Sequence, residues 1–253
     1  MADESSPAYR LALLIVAAAV WMPLAAAAQA HQVVRDVAAE LACGPQAVES
    51  VPADPIRLAG GAVAGKALFG GGETLVVRGG AGRGLQRGQE YFVRRVVADR
   101  FTPSVSDGVK LFSTHTAGWV RIAEVEPDAA VAVVVHACDA LMEGDYLEPF
   151  ALPEVPSPGP AGAADFSNPG RLILADERRQ IGGAGSLMVL DRGSDHGLRP
   201  GQRVTIFRPW PSGGPVLRIG EATAMVVGPE TSTVRIEQSS DAIYVGDLAA
   251  IHR

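Results

Sequence analysis

Over most of the chain the apolar residues come in short runs or strict alternation, not at helical spacing. Leu75-Val76-Val77 and Met188-Val189-Leu190 are apolar runs of strand length. Tyr91 to Val97 and Arg203 to Phe207 alternate apolar and polar residues, as a half-buried sheet requires. Trp119 to Val125 with Ala130 to Val135, and Glu221 to Val227 with Thr231 to Ile236, predict two further strand pairs. Pro127 and Pro229 fall in the turns between them, where a missing amide hydrogen breaks no ladder. Ile56 to Leu58 and Arg171 to Asp176 predict opening strands. Tyr146-Leu147 and Leu248 to Ile251 predict closing ones. A short helix is expected over His31 to Cys43.

These strands occur twice. Gly72 to Gln89 aligns without a gap on Gly185 to Gln202, with four glycines, a Val, a Leu and a Gln in common. Further on, Gly118 meets Gly220, Pro127 meets Pro229, and Asp139 to Asp145 aligns on Asp241 to Asp247. Each copy has a Gly-x-x-x-Gly-Leu-x-x-Gly turn, in which Gly84, Gly88, Gly197 and Gly201 supply tolerance of positive φ. Leu85 and Leu198 plug the turn onto the core. Asp145 and Asp247, each after a glycine, are expected to accept backbone amides at the turn into the last strand.

Five or six short strands in about seventy residues do not make a stable open sheet, so each copy is expected to close. The expected fold is all-β: two tandem small SH3-like barrels or tight sandwiches. Residues 1–30 form the leader, 31–55 the N-terminal helical segment, 56–150 module one, 151–170 a Pro/Gly/Ala linker and 171–253 module two.

With 29 glycines and 18 prolines among 253 residues, the composition suits many turns. The net charge of −6 leaves no basic surplus to neutralise phosphates, so nucleic acid is not an expected partner. Leu11 to Ala28 is uninterrupted apolar sequence after Arg10, and Ala28-Gln29-Ala30 is a small-x-small cleavage site. Export with cleavage before His31 is expected, and membrane attachment only through an uncleaved leader. Cys43 and Cys138, an even pair in an exported chain, are expected to bond and so to stabilise module one.

The pattern Val-x-x-x-Gly-x-x-x-Gly-Leu-x-x-Gly-Gln of Val189 to Gln202, then Phe207-Arg208, Ile219-Gly220-Glu221 and Gly246-Asp247, resembles a module of exported bacterial envelope proteins. It is similar to the C-terminal β-domain of the flagellar T-ring assembly protein and to regions that follow lysin-motif domains in secreted proteins. The resemblance spans roughly residues 70 to 148 and 171 to 252 and implies an envelope location and a β-fold. The lysin motif itself is not present in the sequence, so peptidoglycan binding does not carry over.

Candidate chemistry is sparse. Gly60-Gly61-Ala62-Val63-Ala64-Gly65-Lys66 has the spacing of a phosphate loop, but Ala67 stands where a Ser or Thr should reach magnesium, and Gly70-Gly71-Gly72 breaks any following helix. Ser194-Asp195-His196 has the residue types of a hydrolase triad, yet three consecutive side chains do not align as nucleophile, base and orienter. His31, His115, His136, His196 and His252 show no metal-ligand spacing. No cofactor, metal or catalytic residue is expected. The remaining candidates are loop aromatics: Phe101 and Phe112 in the insertion Ala98 to Thr116, and Trp210 between prolines, which either anchors a partner or caps its own module. The expected function is non-enzymatic, a binding, scaffold or assembly module for an envelope protein or cell-wall component. The competing expectations are a periplasmic hydrolase using scattered carboxylates and a component of a larger trans-envelope machine.

Overall fold

The computed structural model describes residues 29, 31–61, 63, 65–97, 110–160, 162–176, 179–210 and 214–253. The leader and its cleavage site lie outside these, apart from Gln29. Among the described residues no helix is long and apolar enough to cross a membrane.

Residues 31–43 are helical. Val37, Ala38, Leu41 and Ala42 recur on one side of this helix, α1, at spacings that bury a stripe. It stops at Gly44, whose amide bonds the Leu41 carbonyl at 3.2 Å and where a Cβ would sit 2.6 Å from Leu187 Cδ1. Pro45 follows, and β1 (Gln46–Val48) then pairs antiparallel with the start of β6 (Phe112–Val125).

Barrel one comprises β2 (Arg57–Gly61), β4 (Thr74–Arg78), β5 (Glu90–Val96), β6, β7 (Ala129–Ala137) and β9 (Tyr146–Pro149). Its order β6-β5-β9-β2-β4-β7 closes through pairing of β7 with β6. Barrel two comprises β10 (Ala164–Ala175), β12 (Leu187–Leu190), β13 (Arg203–Arg208), β14 (Leu217–Val227), β15 (Ser232–Ser239) and β17 (Leu248–His252), closed in the order β10-β12-β15-β14-β13-β17. Matching the strands by position makes the two orders identical. Irregularities match too: the bulge between Leu58 and Gly60 against β4 recurs between Leu172 and Leu174 against β12, and that between Val93 and Arg94 recurs between Ile206 and Phe207. Each barrel has a two-residue strand pair beside it, β3 (Leu68–Phe69) with β8 (Leu141–Met142) and β11 (Ile181–Gly182) with β16 (Ile243–Tyr244).

Each barrel has its own core. Leu75, Val77, Val93, Val120, Ile122 and Val134 fill the first, and Met188, Leu190, Val204, Ile206, Val234 and Ile236 the second. The turn glycines behave as their residue type demands. Gly84 and Gly197 take φ of 81° and 82°, while a Cβ on Gly80 or Gly193 would lie 1.8 or 2.2 Å from a backbone carbonyl oxygen. Leu85 and Leu198 are buried above them.

Three boundaries differ from expectation. Of the expected helical segment 31–55 only residues 31–43 are helix, and Gln46–Val48 is strand, added to β6. β10 starts at Ala164, so the C-terminal part of the expected linker is strand, paired with β17 through Ala164 and Asp165 to His252 and Ile251. The Pro and Gly at 169 and 170 sit at a register shift instead of ending the strand. β6 starts at Phe112, so Phe112 to Thr116 are strand and not loop.

Candidate functional site

The residues 37–48 lie between the barrels and touch both. Towards barrel one, Ala42 packs with Phe92 and Trp119, flanked by Phe150. Towards barrel two, Leu41 packs with Leu187 and Met225, flanked by Val155 of the inter-barrel connection. Beyond the helix, Ala47 joins Leu111, Ile173, Leu174 and Val189 in a buried cluster drawn from β1 and both barrels. Thr231 and Thr233 of barrel two donate their hydroxyls to the carbonyls of Ala47 and Pro45 at 2.9 and 3.0 Å, and Arg235 pairs with Glu40 at 2.7 Å. Cys43 bonds Cys138, 95 positions further along the chain, with Cα atoms 5.6 Å apart, and fixes this segment to barrel one. Apolar packing and a covalent bond therefore hold the two barrels against one wedge.

A cleft of about 550 Å³ opens beside the wedge. One wall is Arg95, Ser113, Thr114, His115 and Asp139 of barrel one, the other is Leu174, Ala175 and Asp176 of barrel two, and the disulfide and Pro45 lie where they meet. Thr114 is almost fully buried, and its hydroxyl has no hydrogen-bond partner among the described residues. His115 Nε2 lies 3.3 Å from Asp139 Oδ2 without a well-aligned hydrogen bond between them. Arg95 is held from behind: its Nε and Nη2 donate to both oxygens of buried Asp145 at 2.7 and 2.8 Å, and Asp145 also accepts the Met142 amide at 2.8 Å. The Asp145 hydrogen bond and charge push the Arg95 pKa above its ordinary value, against burial. This wall thus combines a fixed cation, an imidazole beside a carboxylate, and a hydroxyl without a hydrogen-bond partner among the described residues.

His136 stands on the far side of the disulfide, stacked on Trp119 at 4.2 Å between ring centroids, with Nε2 3.8 Å from Cys43 Sγ. Cys43, His136 and Cys138 thus converge with ligand atoms within 4.8 Å of one another. The two sulfurs bond each other, so neither is a thiolate able to ligate a metal in this state.

The other sequence candidates fall away from the cleft. Arg208 repeats the Arg95 arrangement in barrel two, donating to Asp247 at 2.7 and 2.8 Å while Asp247 accepts the Tyr244 amide at 2.7 Å. Asp145 and Asp247 are therefore turn acceptors that each also seat an arginine. Ser194, Asp195 and His196 form one turn of 3-10 helix, in which His196 Nδ1 accepts the Gly193 amide at 3.3 Å. Asp195 faces Ser194 and not the imidazole as an orienter. Lys66 of the phosphate-loop spacing pairs with Glu73, and the next element is the short strand β3 in place of a helix. Phe112 is half-buried at the start of β6, with Lys110 Nζ 5.2 Å from its ring centroid; Phe101 lies outside the described residues. Trp210 is 52% exposed.

Arg95, Thr114, His115 and His136 are missing from the sequence candidates. A signal existed for two: Arg95 and Arg208 occupy the same repeat position, and His136, near the end of β7, precedes Cys138, just past that end, by two residues, the spacing that returns a side chain to the same face of extended chain. Neither a protein-family model nor a curated protein matches the chain.

Proposed function

We propose that the protein is exported to the bacterial envelope and acts there by binding, without catalysis, through the cleft between its barrels. The observation that carries this reading is the cleft wall, where Arg95, seated by Asp145, stands beside His115 and exposed Asp139. A guanidinium donates hydrogen bonds and a carboxylate accepts them, so a bound segment that offers carbonyls and hydroxyls finds both kinds of partner on one fixed wall. The partner is an envelope protein or cell-wall component presenting such groups. The leader-like Leu11 to Ala28, the disulfide and the resemblance to envelope modules support the location. Because the wedge fixes both walls, little loop ordering accompanies binding.

The test is capture from detergent extracts of the native envelope, with peptidoglycan sedimentation in parallel. His115→Ala and Asp139→Ala, at half-buried and exposed sites, should leave the melting temperature nearly unchanged and reduce what is retained by about tenfold. Retention by both variants equal to that of the unaltered protein would sink the reading.

A further inference from the structure

Because the barrels are copies, a surface covered on one can be compared with the same surface on the other. On barrel two the outward side chains of β12 and β15 are covered: Leu187 by Leu41, Val189 by Ala47 and Leu111, Thr233 by Pro45, and Arg235 by Glu40. The strand registers place Thr74, Val76, Val131 and Val133 of barrel one at the matching positions. There Thr74 and Val76 are exposed, Val131 and Val133 are half-buried, and Val135, 41% exposed, extends the row along β7. The register also sets Gly60 of barrel one against Leu174 of barrel two, so this face has more room beside Val76 than its counterpart has beside Val189.

The internal interface has a second half. Leu111, which meets Val189, belongs to the connection between β5 and β6. The matching connection of barrel two, between β13 and β14, carries Trp210, Val216 and, at its end, Leu217, which are 52%, 38% and 43% exposed. The wedge residues Leu41, Pro45 and Glu40 belong to the internal contact alone, but Val189 and Leu111 each have an uncovered counterpart on the opposite barrel, both apolar, as surfaces that join chains tend to be.

We propose that the β4–β7 face of barrel one receives the Trp210 connection of a second copy, so that copies join head to tail by repeating between chains the contact that Leu111 makes with Val189 within one. The interface is heterologous: the two patches differ, and a copy that uses one still offers the other. Trp210 supplies a rigid ring to the space beside Gly60 and Val76.

Sedimentation velocity of the full chain across a concentration series tests this. The weight-average mass should rise with concentration to at least about twice the monomer's. Val76→Glu on the face and Trp210→Ser on the connection should each hold the protein monomeric, with an unaltered melting curve. Should Val76→Glu fail to fold, Val133→Arg, which places on β7 the residue barrel two carries at that register, takes its role. An equimolar mixture of the face and connection variants should form a dimer and nothing larger, because one intact face then meets one intact connection. A wild-type chain that stays monomeric throughout, or a mixture that gives no dimer while the wild type associates, would overturn the proposal.

Discussion

At the scale of single residues, the two arginine–aspartate clasps carry the most consequence. Asp145 and Asp247 are nearly fully buried, and each accepts two bonds from a guanidinium and one from a backbone amide. Removing one partner leaves a buried carboxylate uncompensated, so Arg208→Ala is expected to cost about 3 to 5 kcal/mol in chemical denaturation. Arg208→Lys should recover only part of that, because an ammonium does not bind both oxygens in the same fork. Equal stability of the alanine variant and the parent would contradict the clasp. Tyr146 gives a pH signature. Burial, then Glu148 beside it, push its phenol up to about 12 from an ordinary value of 10.0. A raised folded-state value means the neutral phenol is favoured in the fold, so its contribution is complete below pH 10 and is lost as pH rises from there through about 12. Tyr146→Phe should flatten that alkaline decline, which urea midpoints measured across the range would show.

At the scale of elements, the segment from α1 to β1 does what neither barrel does alone. The disulfide that anchors it closes a loop of 95 residues, with an entropic ceiling of about 4 to 5 kcal/mol. Sequence alone assigns that benefit to module one. Because Leu41, Glu40 and Pro45 also engage barrel two, reduction should both lower the melting temperature of barrel one and loosen its coupling to barrel two. Calorimetry should therefore show transitions that lie closer together in the oxidised chain than in reductant, and an unchanged trace on reduction would count against the wedge. What the sequence makes legible here is local. Glycines at Gly84, Gly88, Gly197 and Gly201 mark turns because only the backbone around them decides their φ, and apolar runs such as Leu75 to Val77 mark strands because alternation is a property of neighbours. Long-range partners are not written that way. The clasp joins Arg95 to Asp145 across 50 positions, and Thr233 meets Pro45 across 188. Strand β1 is three residues long, too short to carry a period, and Phe112 reads as loop because its strand runs on from a longer insertion.

At the scale of the molecule, duplication makes two closed barrels, and the wedge turns them into one body with a cleft between them. Closure removes the open sheet edges that invite unplanned pairing, and leaves recognition to clefts and connections. Thr114, His115 and Asp139 from one copy face Leu174 and Asp176 from the other because the wedge sets the start of β6 in barrel one beside the end of β10 in barrel two. The most direct test of this account is site-specific photo-crosslinking in the native envelope, with a photoreactive residue at half-buried Val97 on the cleft and, as control, at exposed Glu237 on β15. The account predicts a discrete crosslinked product from position 97 that is absent from position 237 and is lost when His115→Ala is added. No product from position 97, or the same product from both positions, would contradict it.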